Sequence, residues 1–207
     1  MSDARGEALK SKILLKAGSL ALAGVSAIIV GRDRVESSVT SQMLRGFGLL
    51  HQTIFDSAED AKRYLAIHPV DLCVIEYNLP DASGADLTKW IRAQSSDNRH
   101  VAILILIGLT RKDDVLAARD SGAHMILKKP TSADMLFDRI AWAARSRPFV
   151  DTTTYFGPDR RFKNSGPPDG VFRRGTDLKG QLADSAGPNL SQNDIDALLR
   201  PSKVTIE

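Results

Sequence analysis

Val101-Ala102-Ile103-Leu104-Ile105-Leu106-Ile107 is an apolar run with no polar residue in it, closed by Gly108. A run of that length bounded by glycine suits a strand buried on both faces of a sheet. Shorter near-apolar runs stand on either side of it at Ala27 to Val30, Asp71 to Glu76 and Met125 to Leu127, and Leu50 to Phe55, broken by polar residues, is read as a further strand. Between them the period changes from that of a strand to that of a helix. Val35, Val39, Met43, Leu44 and Phe47 share a helical face over Val35 to Phe47. Ser57 with Asp60 three residues on reads as a capping box opening a helix to Ile67. Gly84 to Ala93, Asp113 to Ser121 (stopped by Gly122) and Ser132 to Arg145 complete the helices. Strands alternating with helices predict an α/β fold, a five-stranded doubly wound parallel sheet with right-handed crossovers. In such folds ligands bind at the carboxyl ends of the strands, so chemistry is expected there.

Composition sets outer bounds. The chain has 207 residues, 43% of them hydrophobic, which is enough for one good core and a tail. A formal net charge of +3 is too small to imply nucleic-acid binding by itself. Cys73 is the single cysteine, so no intrachain disulfide is available, and a cytoplasmic setting is expected. Lys10 and Lys12 ahead of the apolar stretch Ile13 to Val30 resemble a secretory signal. Cleavage there would strip or abut the first strand, and Lys16 interrupts the run as a membrane span; neither role is expected. The four histidines show no metal-ligand spacing, Trp90 and Trp142 read as packing groups, and Cys73 as an inert buried thiol. The divisions expected are an N-terminal extension over 1–25, the α/β domain over 26–147, an Arg/Gly/Pro-rich irregular segment over 148–189, and a terminal helix within 190–207.

Ile75-Glu76-Tyr77-Asn78-Leu79-Pro80 with Gly84, Asp120-Ser121-Gly122-Ala123, and Leu127-Lys128-Lys129-Pro130 together resemble the CheY-like receiver domains of response regulators, over a little more than half of the chain. The resemblance implies a flavodoxin-like receiver fold. It also implies an acidic pair after the first strand that holds magnesium, and an aspartate acceptor after the third. A hydroxyl residue after the fourth strand and a lysine before proline after the fifth would bind the phosphoryl oxygens. This chain departs from that pattern at nearly every point. Gly31 and Arg32 replace the acidic pair, with Asp33 one place late. Glu76 replaces the acceptor and Ile107 the hydroxyl, and Ile126 stands at an aromatic position; Lys129 alone is kept. No catalytic residue and no metal are expected, and the chain is read as a non-enzyme. Arg32 is expected to clamp Glu76 beside Lys129 in a fixed cluster. Two readings of that cluster stay open, a permanently set receiver and a merely structural ion pair.

Two stretches beyond the domain carry further expectations. Tyr155-Phe156-Gly157-Pro158-Asp159-Arg160-Arg161-Phe162 and Asp169-Gly170-Val171-Phe172-Arg173-Arg174-Gly175 form a crude duplication ending in paired arginines. It is similar to the arginine-rich stretch of CheY-like proteins that bind cyclic di-GMP. That likeness implies a ligand site at Asp159, Arg160, Arg161, Arg173 and Arg174; a solvated basic linker is the competing reading. No resident cofactor is expected. Leu190 to Leu199 reads as a helix capped by Ser191 with Asp194, its apolar face formed by Ile195, Leu198 and Leu199. This segment is similar to the receiver-docking peptide of the flagellar motor-switch protein. By that likeness it docks on a CheY-type receiver, its own or another's; a simple capping helix is the alternative.

The function expected is a phosphorylation-independent adaptor in two-component or chemotaxis signalling. Its partners would be a CheY-type receiver, a histidine kinase or a flagellar motor-switch component, with no DNA and no membrane. A cyclic di-GMP effector is the second expectation. A conventional phospho-acceptor is opposed by the missing aspartate, the missing acidic pair and Ile107.

Overall fold

The computed structural model describes residues 14–16, 19–109, 111–144, 149–152, 155–158 and 190–199, those in 14–21 and 197–199 through the backbone alone. The elements are β1 (Leu14–Lys16), β2 (Ser19–Ala21), β3 (Ser26–Val30), α1 (Arg34–Gly46), β4 (His51–Phe55), α2 (Ala58–Leu65) and β5 (Leu72–Glu76). They continue with α3 (Gly84–Ala93), a short 3-10 turn (Asp97–His100), β6 (Ala102–Ile107), α4 (Lys112–Asp120), β7 (Met125–Lys128) and α5 (Ala133–Ala144). The last described elements are β8 (Phe149–Asp151), β9 (Phe156–Pro158) and α6 (Gln192–Leu199).

The central sheet has five strands in the order β4-β3-β5-β6-β7, every pair parallel. This is the doubly wound arrangement expected, with the chain reversing direction across the sheet at β3 and β5. Burial follows position in the sheet. All residues of β5 and β6 are buried, while the edge strand β4, with His51, Gln52 and Thr53, is partly open. That difference is why β5 and β6 read as continuous apolar runs and β4 does not. Trp90 and Trp142 pack against the core and Cys73 is fully buried, as their sequence contexts suggested. Among the described residues, no helix is long and apolar enough to cross a membrane.

Side chains also stitch elements that lie far apart in sequence. Asp81 accepts 2.9 Å hydrogen bonds from the backbone N–H groups of Ala58 and Glu59, so a carboxylate from the loop after β5 closes the start of α2. Buried Asn98 donates to the carbonyls of Leu65 and His68 and accepts from Val70 N–H.

Two boundaries differ from the sequence reading. The N-terminal extension is not separate: β1 and β2 pair as an antiparallel hairpin, Leu22 donates its N–H to Phe47 O, and Leu22 and Val25 are fully buried in the core. Nor is the segment after 148 irregular from its start, because β8 and β9 pair as a second hairpin. Three-residue strands are too short to display a period, so nothing local announced them. Aromatic contact holds this hairpin in place. The Phe149 and Phe156 rings lie 5.3 Å apart and each meets His100 edge-on, and the Arg99 guanidinium sits 3.5 Å over the Phe156 ring. Gly122, at φ +92°, lets the hairpin approach, because a Cβ there would stand 2.4 Å from Phe156 O. Gly122→Ala is therefore expected to lower stability by about 1–3 kcal/mol, read as a shifted denaturation midpoint, whereas Gly46→Ala, with open space around it, is expected not to.

Candidate functional site

The carboxyl ends of the strands open onto a cleft of about 290 Å³ bordered by Arg32, Asp33, Glu36, Glu76, Tyr77 and Lys129, with Asn78, Leu106 and Gly108. Glu76 is the last residue of β5 and 6% exposed. Its Oε1 accepts a 2.8 Å hydrogen bond from Lys129 Nζ, and its Oε2 accepts one of 3.3 Å from the backbone N–H of Arg32. Lys129 Nζ also donates to Glu36 Oε2, from the first turn of α1. The ammonium thus stands between two carboxylates brought together from α1 and β5.

Charge and burial compete here. Burial raises the Glu76 carboxyl above its ordinary range, although Lys129 pulls the other way. Burial works to lower the Lys129 ammonium, and the two carboxylates outweigh it and raise that group. Glu36 is held below the usual carboxylate range by its hydrogen bond to Lys129. Tyr77, next along, is pushed up to about 12 by burial and by Asp114, to which its hydroxyl donates at 3.1 Å.

The cluster differs from the expected one in its arginine. Arg32 meets Glu76 through its backbone N–H; its side chain is exposed and forms no ion pair with Glu76. Glu36 takes the place foreseen for Arg32 in the network. A position-by-position reading could not find it, because Glu36 looks like any acidic residue favouring a helix start. Asp33, the leftover acid, caps α1: its Oδ1 accepts from Val35 N–H at 2.7 Å and Glu36 N–H at 3.3 Å. Ile107 ends β6 fully buried and offers no side-chain donor, and Ile126 is likewise buried.

Gly31 makes room for Glu76. A Cβ at Gly31 would lie 3.0 Å from Glu76 Cδ, 3.1 Å from its Cγ and 2.6 Å from Ser37 Oγ. The side chain missing at position 31 and the extra methylene of Glu76 are thus two sides of one packing solution. A magnesium ion, which the resemblance would place beside the acceptor, does not fit this donor set. Gly31 and Arg32 supply no side-chain carboxylate, Asp33 is engaged by backbone, and an ammonium already lies against Glu76. Among the described residues, no three His, Cys, Asp or Glu side chains gather to hold a metal.

The terminal helix docks on its own domain. Ser191 and Asp194 form the expected capping box, with Ser191 N–H donating to Asp194 Oδ2 at 2.9 Å and Asp194 N–H to Ser191 Oγ at 3.2 Å. Leu190 is 6% exposed and Ile195 fully buried. Sequence reasoning gave Gln192 no role of its own, yet its carboxamide binds the backbone of edge strand β7: Lys128 N–H donates to its Oε1 at 2.7 Å, and its Nε2 donates to Ile126 O at 3.0 Å. The side chains of Leu198 and Leu199 lie outside the described residues, as do Asp159, Arg160, Arg161, Arg173 and Arg174.

Residues 27–141 match the family model of the response regulator receiver domain. Among curated proteins, the chain is 32% identical to the response regulator protein PilR of Pseudomonas aeruginosa, over 64% of this chain and 28% of that relative. It is 24% identical to the chemotaxis protein CheY of the same organism, over 49% of this chain and 82% of that one. It is 27% identical to the polar-differentiation response regulator DivK of Brucella ovis, over 35% and 58%. Among solved structures, a putative response regulator from Chloroflexus aurantiacus superposes with a TM-score of 0.56 at 23% identity, over 59% of this chain and 98% of that one. A CheY-like receiver domain protein from Methanospirillum hungatei gives 0.53 at 19% identity, over 58% and 94%.

The site geometry makes two expectations measurable by denaturation. Gly31→Ala should destabilise by about 1–3 kcal/mol through overpacking, and combining it with Glu76→Asp should recover part of that loss, a positive coupling absent if the two positions are independent. Lys129→Met should destabilise by about 1–3 kcal/mol at neutral pH by leaving two carboxylates unpaired. Because the Lys129 group is raised above its ordinary 10.5, its contribution is full below that value and lost as pH rises through the folded value, so the gap between wild type and variant should close only in that alkaline window.

Proposed function

This chain belongs to the response regulator receiver domain family, and from that membership we propose that it is a phosphorylation-independent adaptor in two-component or chemotaxis signalling that works by binding other proteins. The observation that carries this reading is the position of Lys129 between Glu36 and Glu76. Phosphoryl transfer to a carboxylate needs an accessible nucleophile, positive charge free to meet the incoming oxygens, and a donor for them. In this cleft Glu76 is buried against an ammonium, that ammonium is already bound by a second carboxylate, and Ile107 stands where a hydroxyl would donate. The internal ion pairs supply the charge balance that a metal and a phosphoryl group would otherwise bring. The partners that suit this reading are a CheY-type receiver, a histidine kinase or a flagellar motor-switch component.

A cyclic di-GMP effector is the second reading, favoured by how the arginine-rich segment is attached. Its arginines lie between β9, held by Phe149 and Phe156, and Leu190, buried against the domain. A nucleotide that gathered Arg160, Arg161, Arg173 and Arg174 would therefore act on two anchored ends.

Incubation with acetyl phosphate and magnesium should leave the intact mass unchanged; a phosphoryl adduct mapping to Glu76 would overturn the adaptor reading. Calorimetric titration of cyclic di-GMP should give micromolar or tighter binding if the second reading holds, lost on replacing Arg160 and Arg161 by alanine; no heat would return the segment to the role of a linker.

A further inference from the structure

The two edges of the central sheet are treated differently. Gln192 bonds to the backbone of β7, whereas among the described residues no strand lies beyond β4. Gly31 N–H donates to Phe55 O at 3.0 Å, so Phe55 turns its carbonyl inward to β3. Alternation along the strand then turns the N–H and C=O groups of Gln52 and Ile54 outward. Such an edge invites another strand, and proteins commonly blunt it with proline, lysine or a bulge. His51-Gln52-Thr53-Ile54-Phe55 contains neither proline nor lysine, and its register with β3 runs without a bulge. Apolar surface is exposed there instead: Leu50 is 64% exposed and Ile54 42%. Both lie on the face of the sheet that carries α1, because Gln52 between them donates to Ser41 O of that helix at 3.3 Å.

We propose that β4 is a self-association edge, to which a second copy of this chain adds its own β4 in antiparallel register about a two-fold axis at Gln52. The register follows from which side chains must meet. With Gln52 opposite its own copy, Leu50 lies opposite the partner's Ile54 and Ile54 opposite the partner's Leu50, so the exposed apolar residues cover one another at both ends of the ladder. On the other face His51 meets the partner's Thr53. An axis one residue on, at Thr53, would set Leu50 against Asp56 and Ile54 against Gln52, apolar against polar in each case. Charge agrees with the same two-fold. Helix α2, which packs beside β4, carries Glu59 and Asp60 in its first turn and Lys62 and Arg63 in its last. The axis is perpendicular to the sheet, so the two copies of α2 run antiparallel on one face, the acidic start of each toward the basic end of the other. The two sheets become one continuous sheet. Each β7 with its tail stays at an outer edge, and the two clefts open at opposite ends, so pairing covers neither. This inference goes beyond the adaptor reading and does not rest on it: a phosphorylated Glu76 would leave the edge as it is, and a monomeric chain could still act as an adaptor.

The test is sedimentation of the full chain over a concentration series. The interface is small, so a monomer–dimer equilibrium is expected, with a dissociation constant of order 10–100 μM. Ile54→Lys places a charge on the edge and should weaken association about tenfold or more, with an unchanged melting midpoint in dilute solution. A cross-link reads the register and decides the matter if that variant folds poorly. Chains carrying Leu50→Cys and chains carrying Ile54→Cys, mixed and mildly oxidised, should give more disulfide-linked dimer than either alone; Cys73 is buried and does not compete. A chain still monomeric at about 1 mM, a dimer that Ile54→Lys leaves intact, or no excess cross-link in the mixture would each overturn the proposal.

Discussion

A carboxylate buried at the end of a central strand must be neutralised where it stands, and the cleft is arranged around that constraint. Glu76 lies between β3 and β6 with almost no access to water. An isolated charge in such a place is expensive enough that a protein either protonates it or pairs it. Lys129 is the partner, brought by the turn after β7, and Glu36 comes from α1 to share it. Gly31 vacates the volume that the longer acid needs. Asp33, which alone of the nearby acids does not face the ammonium, is engaged in starting the helix that carries Glu36. The departures from the receiver pattern are therefore mutually consistent in space, although each looks like a separate loss in the sequence.

The second constraint is the pair of sheet edges. A parallel sheet of five strands leaves two, and unpaired backbone groups at an edge invite other chains. Strand β4 keeps a partly open character and is the edge left uncovered among the described residues. Strand β7 is covered instead by the tail, with the Gln192 carboxamide standing in for a sixth strand. Burying Ile195 completely adds about 2 kcal/mol of apolar stabilisation. The Gln192, Lys128 and Arg139 contacts add to it in holding a short helix in place.

The two constraints meet in β7 and the turn that follows it. Lys128 serves the tail through its backbone N–H and its ammonium, and Lys129, the next residue, serves the cleft. A strand points successive side chains to opposite faces, so adjacent lysines are a natural way to give one strand end two tasks. Tyr77 makes a second connection, running from the residue after Glu76 to Asp114 on α4, a helix that also meets α6. The cleft and the tail thus meet at the end of β7.

The sequence by itself determined the sheet, the order of its elements, two of its helix caps and the absence of the expected acceptor residues. Those properties are local: burial on two faces writes a continuous apolar run such as 101–107, and a cap writes a serine and an acid three residues apart at Ser57 and Ser191. Only the tertiary structure decided that Glu36 rather than the Arg32 side chain completes the charge cluster, that Gly31 leaves space taken by Glu76 and Ser37, that the terminal helix docks in cis, and that hairpins flank the domain at both ends. The first three join residues tens of positions apart through single side chains, and the hairpins rest on three-residue strands, too little to imprint a period. Their energies come from which atoms meet after the sheet has formed, and that meeting has no local signature in the chain.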